Sequence, residues 1–154
     1  PFKDLAYVVQ YSGAEILAVL ENSVSQYPLL DGRFLQVSGL EFSFDPLREA
    51  GERLERENVL VQEDDGEMKR IEQDKLYRVA LKTYVYEGKD GFPVGDKERI
   101  ERKTSETLPD MVIAYLQSLP TDKDVGVPVV APEAEGRIKC LQMDDELQKF
   151  YEAH

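Results

Sequence analysis

The pattern of hydrophobic and polar positions predicts a strand followed by a helix at the start of the chain. Residues 5–11 are rich in β-branched and aromatic side chains, which is typical of a strand. Ser12 and Glu15 place a hydroxyl and a carboxylate three positions apart, the pattern of a helix capping box. We therefore expect a helix over residues 14–26, ended by Pro28. The residues at helical spacing that would form its buried stripe are Leu17, Leu20, Val24 and Tyr27.

The central part of the chain predicts short strands joined by turns. Residues 40–45 alternate apolar and polar side chains, which is the period of a half-buried strand. Residues 47–58 are dense in Arg and Glu and form either a surface helix or a loop that leads into a strand over residues 53–62. The pair Asp65-Gly66 predicts a hairpin turn, with residues 68–71 as the returning strand.

Residues 76–86 (LYRVALKTYVY) carry the strongest strand pattern in the chain. Because side chains alternate along a strand, this pattern puts Tyr84 and Tyr86 on the face shared with Arg78 and Lys82. A glycine-rich turn follows immediately.

The last third of the chain predicts a loop or an exposed sheet edge, followed by a helix and a short strand. Residues 96–103 are charged and form a loop or an exposed edge. Thr107 is placed to cap a helix over residues 108–119. A short strand over residues 136–141 and a terminal helix over residues 144–151 complete the pattern. The apolar face of the capped helix comprises Met111, Val112, Tyr115, Leu116 and Leu119. These elements predict an α+β fold, with a mixed, mostly antiparallel sheet covered by two to three helices.

Length and charge limit the partners of the chain. Its 154 residues suit a single domain over residues 1–154, and the start at Pro1 without a methionine leads us to expect a part of a longer protein. The formal net charge of −12 makes nucleic acid polymers and anionic membrane surfaces poor partners. No apolar run reaches the roughly 20 residues that a membrane span needs. The sequence leaves the cellular compartment open, cytoplasmic or secreted.

The scarcity of Cys and His removes several classes of chemistry. Cys140 is the only cysteine, so an internal disulfide and a multi-thiolate metal site are excluded, and a strand position predicts an inert thiol. The only histidine is His154, the last residue, which is a poor general base or metal ligand. Ser-His-Asp and Cys-His chemistry and imidazole-dependent zinc sites are therefore excluded, whereas carboxylate chemistry remains open because the chain has 31 Asp and Glu residues.

The segment from Tyr84 to Phe92 carries the most site-like combination of side chains. Two tyrosines on a polar face, followed by a flexible turn that contains Asp90, would form a stacking platform beside a carboxylate that binds hydroxyl groups. The alternative is that both tyrosines pack against a covering helix and Asp90 only stabilises its turn. Phe2 is likewise either a contact to the core or an exposed aromatic.

The order of several segments resembles the C-terminal domain of the 5'-nucleotidase family, which includes ecto-5'-nucleotidases and bacterial UDP-sugar hydrolases. The segments are Pro1-Phe2, VVQYSGAEILAVLENSVSQY (8–27), GRFLQVSGLEFSFDP (32–46), LYRVALKTYVYEGKDGF (76–92) and EGRIKC (135–140). The most specific stretches are residues 36–39 and 88–92.

The resemblance implies a nucleoside pocket. In that family two aromatics hold the base and an acid binds the ribose hydroxyls; Phe2 and Tyr84 match the aromatics and Asp90 matches the acid. Gly88 and Lys89 belong to the turn of the same pocket. The chain departs from the family pattern where Thr83 replaces Asn, Tyr84 replaces Phe and Lys89 replaces Gly.

The resemblance also implies that the catalytic site lies in another domain. In the family a separate N-terminal metallophosphoesterase domain holds two divalent metal ions of the Zn or Mn type and cleaves a phosphate ester. This chain would then bind the nucleoside or nucleotide and act with that domain. It would itself contain no catalytic residue, no metal ligand and no bound cofactor, and it would be inactive alone. A second hypothesis is a non-catalytic protein-interaction module in which exposed Tyr84, Tyr86 and Phe92 anchor a partner.

Overall fold

A computed structural model describes residues 4–124, 126–130 and 133–142. The chain has an α+β fold, as the sequence predicts. Its elements, in chain order, are β1 (Leu5–Ser12), α1 (Gly13–Val24), β2 (Leu40–Phe44), β3 (Leu60–Gln62), β4 (Met68–Arg70), β5 (Leu76–Lys82), α2 (Thr83–Tyr86), β6 (Ile100–Thr107), α3 (Leu108–Ser118) and β7 (Ile138–Cys140). The predicted helix at 144–151 lies outside the described residues, as do Phe2 and His154.

The strands divide between two sheets. One has the order β5–β1–β6 and is antiparallel throughout. The other has the order β4–β3–β2–β7, in which only the β2–β7 pair is parallel. The mostly antiparallel character is therefore confirmed. The hairpin between β3 and β4 turns at Gly66, whose φ of 84° requires the left-handed region that glycine tolerates.

Helix α1 supplies one wall of the core, and its start is the capping box that the sequence predicts. The hydroxyl of Ser12 accepts from the backbone N–H of Glu15 at 3.2 Å, and the Glu15 carboxylate accepts from the backbone N–H of Ser12 at 2.7 Å. Three of the four predicted stripe residues are buried and the fourth, Tyr27, packs against the core. The helix ends at Val24, two residues before the predicted end, and turns carry the chain to Pro28.

The predicted strand over residues 53–62 is wrong for its first half. Leu54 forms a single bridge with Phe44, a short 3-10 turn follows at Arg56–Asn58, and β3 begins only at Leu60. The surface helix is equally absent from this described segment. The carboxylate of Glu21 accepts from the backbone N–H groups of Arg53 and Leu54, at 2.8 and 2.9 Å. Because these donors are taken by a side chain, no regular ladder forms there.

Strand β2 is buried more completely than its alternation indicates. Ser43 and Asp45 are both buried, whereas the pattern placed them towards solvent. Each has a local hydrogen-bond partner: the Ser43 hydroxyl accepts from the Asn58 amide at 3.2 Å, and the Asp45 carboxylate accepts from the backbone N–H of Leu47 at 2.9 Å. Short polar side chains with such partners are tolerated inside a fold.

Helix α3 forms as predicted, but its apolar face remains largely open. Thr107 caps it in a second capping box with Asp110. Val112, Ile113 and Tyr115 are 54%, 52% and 60% exposed, and none of the residues of α3 is buried. The predicted charged segment at residues 96–103 overlaps the first half of β6, which is an edge strand of its sheet. None of the helices in the described ranges is both long and apolar enough to cross a bilayer.

Candidate functional site

Strand β5 ends at Lys82, and the next four residues form the helical turn α2. The predicted alternation through residue 86 is therefore wrong. A helical turn rotates side chains by about 100° per residue, so neighbouring residues no longer take opposite faces. As a result Val85 and Tyr86 are buried, whereas Tyr84 stays half-buried at the surface.

Tyr86 belongs to the core. Its ring packs edge-on against Tyr7, with ring centroids 5.1 Å apart. Phe92 is buried as well, with 4% of its surface exposed, compared with 5% for Tyr86. Two of the three anchors of the proposed protein-interaction module are therefore inside the fold, and that form of the hypothesis is wrong.

Tyr84 and Asp90 lie together at the surface. The Asp90 carboxylate lies close enough to the Tyr84 hydroxyl for hydrogen bonding between them to raise the pKa of Tyr84 above its usual value. The ammonium of Lys82 lies 5.0 Å from the centroid of the Tyr84 ring, which is a cation–π contact. The structure thus brings an aromatic ring, a carboxylate and a cation to one end of β5.

The turn that presents Asp90 has an unusual backbone. Gly88, Asp90 and Gly91 all have positive φ, at 76°, 52° and 78°. Asp90 is the one non-glycine residue with positive φ in the described ranges. A side chain at Gly88 would strike Val94, whose Cγ2 lies 2.6 Å from the site of a Cβ. The ammonium of Lys89 lies 4.0 Å from the carboxylate of Glu87, and both side chains are more than half exposed.

Asn22 of α1 contacts this turn from the side. Its amide nitrogen donates to the carbonyl oxygen of Asp90 at 3.1 Å. The 31–33 loop also approaches, because the charges of Asp31 and Arg33 both act on the Tyr84 hydroxyl. Sequence reasoning missed Asn22, Asp31 and Arg33. Asn22 and Asp90 are 68 positions apart, and no local spacing pattern reports such a contact.

A cleft of about 580 Å³ opens beside the same end of β5. Residues that line it include Gln36, Val37 and Ser38 from the loop before β2, and Lys82 and Val85 from the end of β5 and α2. The loop before β2, which carries one of the two most specific stretches of the resemblance, therefore approaches the end of β5 in the fold.

Phe2 lies outside the described residues, which begin at Asp4. The β1–β5 ladder ends at the Ala6–Lys82 pair, because the chain turns helical at Thr83. The carbonyl oxygen of Asp4 accepts from the backbone N–H of Leu108 at 2.9 Å. The described start of β1 is thus tied to the start of α3.

The side chains of the described residues do not fit a metal ion. Within these ranges, no group of three or more His, Cys, Asp or Glu side chains is arranged to hold one. The thiol of Cys140 is half-buried rather than fully buried and lies 3.6 Å from the carbonyl oxygen of Gln142.

Comparison with known proteins places these features in a family. The family model for the 5'-nucleotidase C-terminal domain matches residues 1–97. The 5'-nucleotidase of Diplobatis ommata is 30% identical over 143 residues, which is 92% of this chain and 23% of that protein. The chain therefore spans about a quarter of the length of this relative.

Solved structures agree with the sequence match. The 5'-nucleotidase precursor from Thermus thermophilus has a TM-score of 0.77 and 36% identity, over 94% of this chain and 26% of that chain. The NAD nucleotidase of Haemophilus influenzae has a TM-score of 0.51 and 30% identity, over 60% of this chain and 16% of that chain. Together with the matched family model, these likenesses show that the chain belongs to the 5'-nucleotidase C-terminal domain family.

Proposed function

We propose that this chain is the nucleoside-binding part of a metal-dependent, 5'-nucleotidase-like phosphohydrolase. Tyr84 would stack on the base, Phe2 would cover the opposite face of the base, and Asp90 would bind the ribose hydroxyls. The observation that carries the proposal is the pairing of the Tyr84 ring with the Asp90 carboxylate at the surface. An aromatic ring can stack on the base of a nucleoside, and a carboxylate beside it can bind the ribose hydroxyls.

The ring of Tyr84 is suited to one-sided stacking. Lys82 lies over the ring at 5.0 Å from its centroid, so one face carries a cation, and the base would stack on the other face. Stacking of a base on an aromatic side chain contributes about 1–3 kcal/mol and tolerates different bases. The Tyr84 ring alone would therefore give affinity for several nucleosides, and other contacts would discriminate between their bases.

The carboxylate of Asp90 has capacity for a sugar. An ionised carboxylate offers about four lone-pair sites, of which the Tyr84 hydroxyl occupies one. Two vicinal hydroxyl groups can donate to the remainder. Hydrogen bonds to a charged group contribute about 1.5–3 kcal/mol each, so the sugar contact should be as strong as the stacking contact.

The place of Phe2 in this pocket rests on the resemblance, in which Phe2 matches the first of the two aromatics. The described part of β1 supports it, because Ala6 pairs with Lys82, the last residue of β5 before the helical turn that carries Tyr84.

The residues of this chain and the length of its relatives support a division of labour between two domains. The described residues offer no set of metal ligands, and the matched relative is about four times as long as the matched part. We propose that an N-terminal metallophosphoesterase domain supplies two divalent ions, which would activate water and stabilise charge on the phosphoryl group. Purified chain mixed with AMP and Mn²⁺ or Zn²⁺ should release no phosphate, and turnover would refute this division.

The substrate belongs to the nucleotides or related phosphoesters. The names of the relatives include a 5'-nucleotidase and an NAD nucleotidase, and the substrates that these names indicate share a nucleoside portion. A nucleoside monophosphate such as AMP and a nucleotide with a longer phosphate bridge, such as a UDP-sugar, both present the ring and diol that Tyr84 and Asp90 would bind.

Calorimetric titration with adenosine and uridine tests the proposal. Tyr84→Ala should weaken the binding of both nucleosides by about 5- to 100-fold, because the base loses its stacking contact. Tyr115→Ala is the matched control, since Tyr115 is an exposed tyrosine on α3. Equal affinity of the wild type and Tyr84→Ala, or equal loss in both variants, would refute a stacking role for Tyr84.

A second candidate function rests on α3 rather than on Tyr86 and Phe92. Val112, Ile113 and Tyr115 are each more than half exposed on this one helix. Clustered apolar side chains at a surface are typical of protein interfaces. Under this alternative α3 would contact a protein partner, and the Tyr115→Ala variant would lose that partner while keeping its nucleoside affinity.

A further inference from the structure

We infer that Asn22 of helix α1 is a positioning residue for Asp90, and that it controls how strongly the pocket selects for the ribose hydroxyls. The inference rests on the proposed function, because it assigns a role within the same pocket. It adds a residue from a different element, 68 positions from Asp90.

The contact between Asn22 and the turn is specific. The amide nitrogen of Asn22 donates to the carbonyl oxygen of Asp90 at 3.1 Å. On the next residue, Gly91, the site of a Cβ would lie 3.4 Å from the amide oxygen of Asn22. The side chain of Asn22 therefore hydrogen-bonds to Asp90 and leaves little room for a side chain at Gly91.

The turn needs such support because its backbone is strained at Asp90. A φ of 52° with a ψ of 29° places Asp90 in the left-handed region. This conformation costs a residue with a side chain about 1–2 kcal/mol, less for Asp than for most residues. A hydrogen bond to the carbonyl of that same residue offsets part of the cost. Without it, Asp90 gains access to conformations that aim its carboxylate elsewhere.

Helix α1 is a rigid base for this support. The capping box of Ser12 and Glu15 fixes its first turn, and Leu20 and Val24, on either side of Asn22, are buried in the core. On the other side of the turn, the Tyr84 hydroxyl holds the Asp90 carboxylate. Asn22 thus fixes the backbone of Asp90 while Tyr84 orients its side chain.

The experiment compares adenosine with 2',3'-dideoxyadenosine, which keeps the base but lacks both ribose hydroxyls. Dissociation constants are measured for the wild type, Asn22→Ala and Asn22→Asp. The Asn22→Asp variant preserves the shape of the side chain and removes the donor, so it serves if Asn22→Ala unfolds. Gln26→Ala is the control, since it truncates another amide just beyond α1.

We expect the wild type to prefer adenosine by about 10-fold or more, as hydrogen bonds to a charged group imply. Both Asn22 variants should reduce this preference by about 3- to 10-fold while binding dideoxyadenosine as the wild type does. Gln26→Ala should keep the full preference. The conservative Asn22→Gln, which retains an amide donor, should recover part of it.

Two results would overturn the inference while leaving the proposed function intact. One is an unchanged preference for adenosine in both Asn22 variants. The other is an equal loss of affinity for both ligands, which would mean that Asn22 supports the fold and not the sugar contact. A wild type that binds neither ligand, or binds both equally, would instead refute the proposed role of Asp90, and with it this inference.

Discussion

The guanidinium of Arg53 lies 2.7 Å from the carbonyl oxygen of Tyr27, at the point where the chain leaves helix α1. The same nitrogen donates to the carbonyl oxygens of Val24 and Ser25, at 2.8 and 3.1 Å. Carbonyl groups at the end of a helix lack partners within the helix, so a side chain that satisfies three of them acts as a cap. Arg53 therefore fixes the end of the helix that carries Asn22.

Replacing Arg53 should destabilise the fold. Arg53→Met keeps the aliphatic part but removes the guanidinium that donates to these carbonyl oxygens, and we expect a loss of about 2–3 kcal/mol in the free energy of unfolding. Arg56→Met is the control, because Arg56 is exposed and follows three positions later. Urea unfolding followed by circular dichroism measures both. Equal midpoints for the two variants would contradict the capping role.

Glu15 should make stability depend on pH in the acid range. Partial burial raises the pKa of Glu15, but hydrogen bonds from Ser12 and Arg99 outweigh burial and hold the pKa below its usual value. A depressed pKa in the folded state contributes stability that is complete above the unfolded pKa and is lost as pH falls through the folded pKa. Glu15→Gln should therefore lower the free energy of unfolding by about 1 kcal/mol near neutral pH, and by less below pH about 4.

The comparison of unfolding free energies between pH 3 and pH 7 measures this effect. Its control is Glu52→Gln, which replaces an exposed carboxylate far from α1 in sequence. A constant difference between the wild type and Glu15→Gln across that range would contradict the role of the Glu15 charge.

Gly95 should be intolerant of any side chain. Its backbone N–H donates to the carbonyl oxygen of Tyr86 at 2.9 Å, and a Cβ at Gly95 would fall on the ring of Tyr86. Gly95→Ala should lower the free energy of unfolding by about 1–3 kcal/mol because the ring must move within the core. Gly32→Ala is the matched control, since a Cβ there meets nothing within 4 Å. Thermal unfolding of both variants tests this prediction. Similar melting temperatures for the two variants would mean that Tyr86 is not packed as described.

The bond between Tyr84 and Asp90 can be tested without a ligand. The hydrogen bond to the carboxylate raises the pKa of Tyr84, so Asp90→Asn should lower that pKa towards its ordinary value. The measurement is the ¹³C chemical shift of the Tyr84 ring as a function of pH. In Asp31→Asn, which removes a more distant charge, the change should be smaller. An unaltered Tyr84 titration in Asp90→Asn would show that the two groups do not interact.

The elements that sequence reasoning located correctly are those with local signals. The capping box at Ser12, the cap at Thr107 and the turn at Gly66 depend only on residues close together in the chain. Strand β1 and helix α1 follow from periodicity over several residues. Whether each is a strand or a helix could be predicted without knowledge of the fold, although α1 ends two residues before its predicted end.

The errors occur where distant residues decide the structure. The ladder over residues 53–62 is interrupted because Glu21, more than 30 positions earlier, takes two backbone donors. Strand β5 ends early because Val85 and Tyr86 bury their side chains when the backbone turns helical. Likewise, the resemblance identified Tyr84 and Asp90, but only the fold brings Asn22 to them. Long-range contacts of this kind leave no periodic signal in a single sequence.

The most direct test of the nucleoside pocket is to titrate ¹⁵N-labelled chain with adenosine and follow the backbone amide chemical shifts. The account predicts saturable shifts that concentrate on residues 82–92 and on Asn22, with little change on α3 and β4. Saturable shifts centred on another surface, or spectra that adenosine leaves unchanged at millimolar concentration, would contradict it.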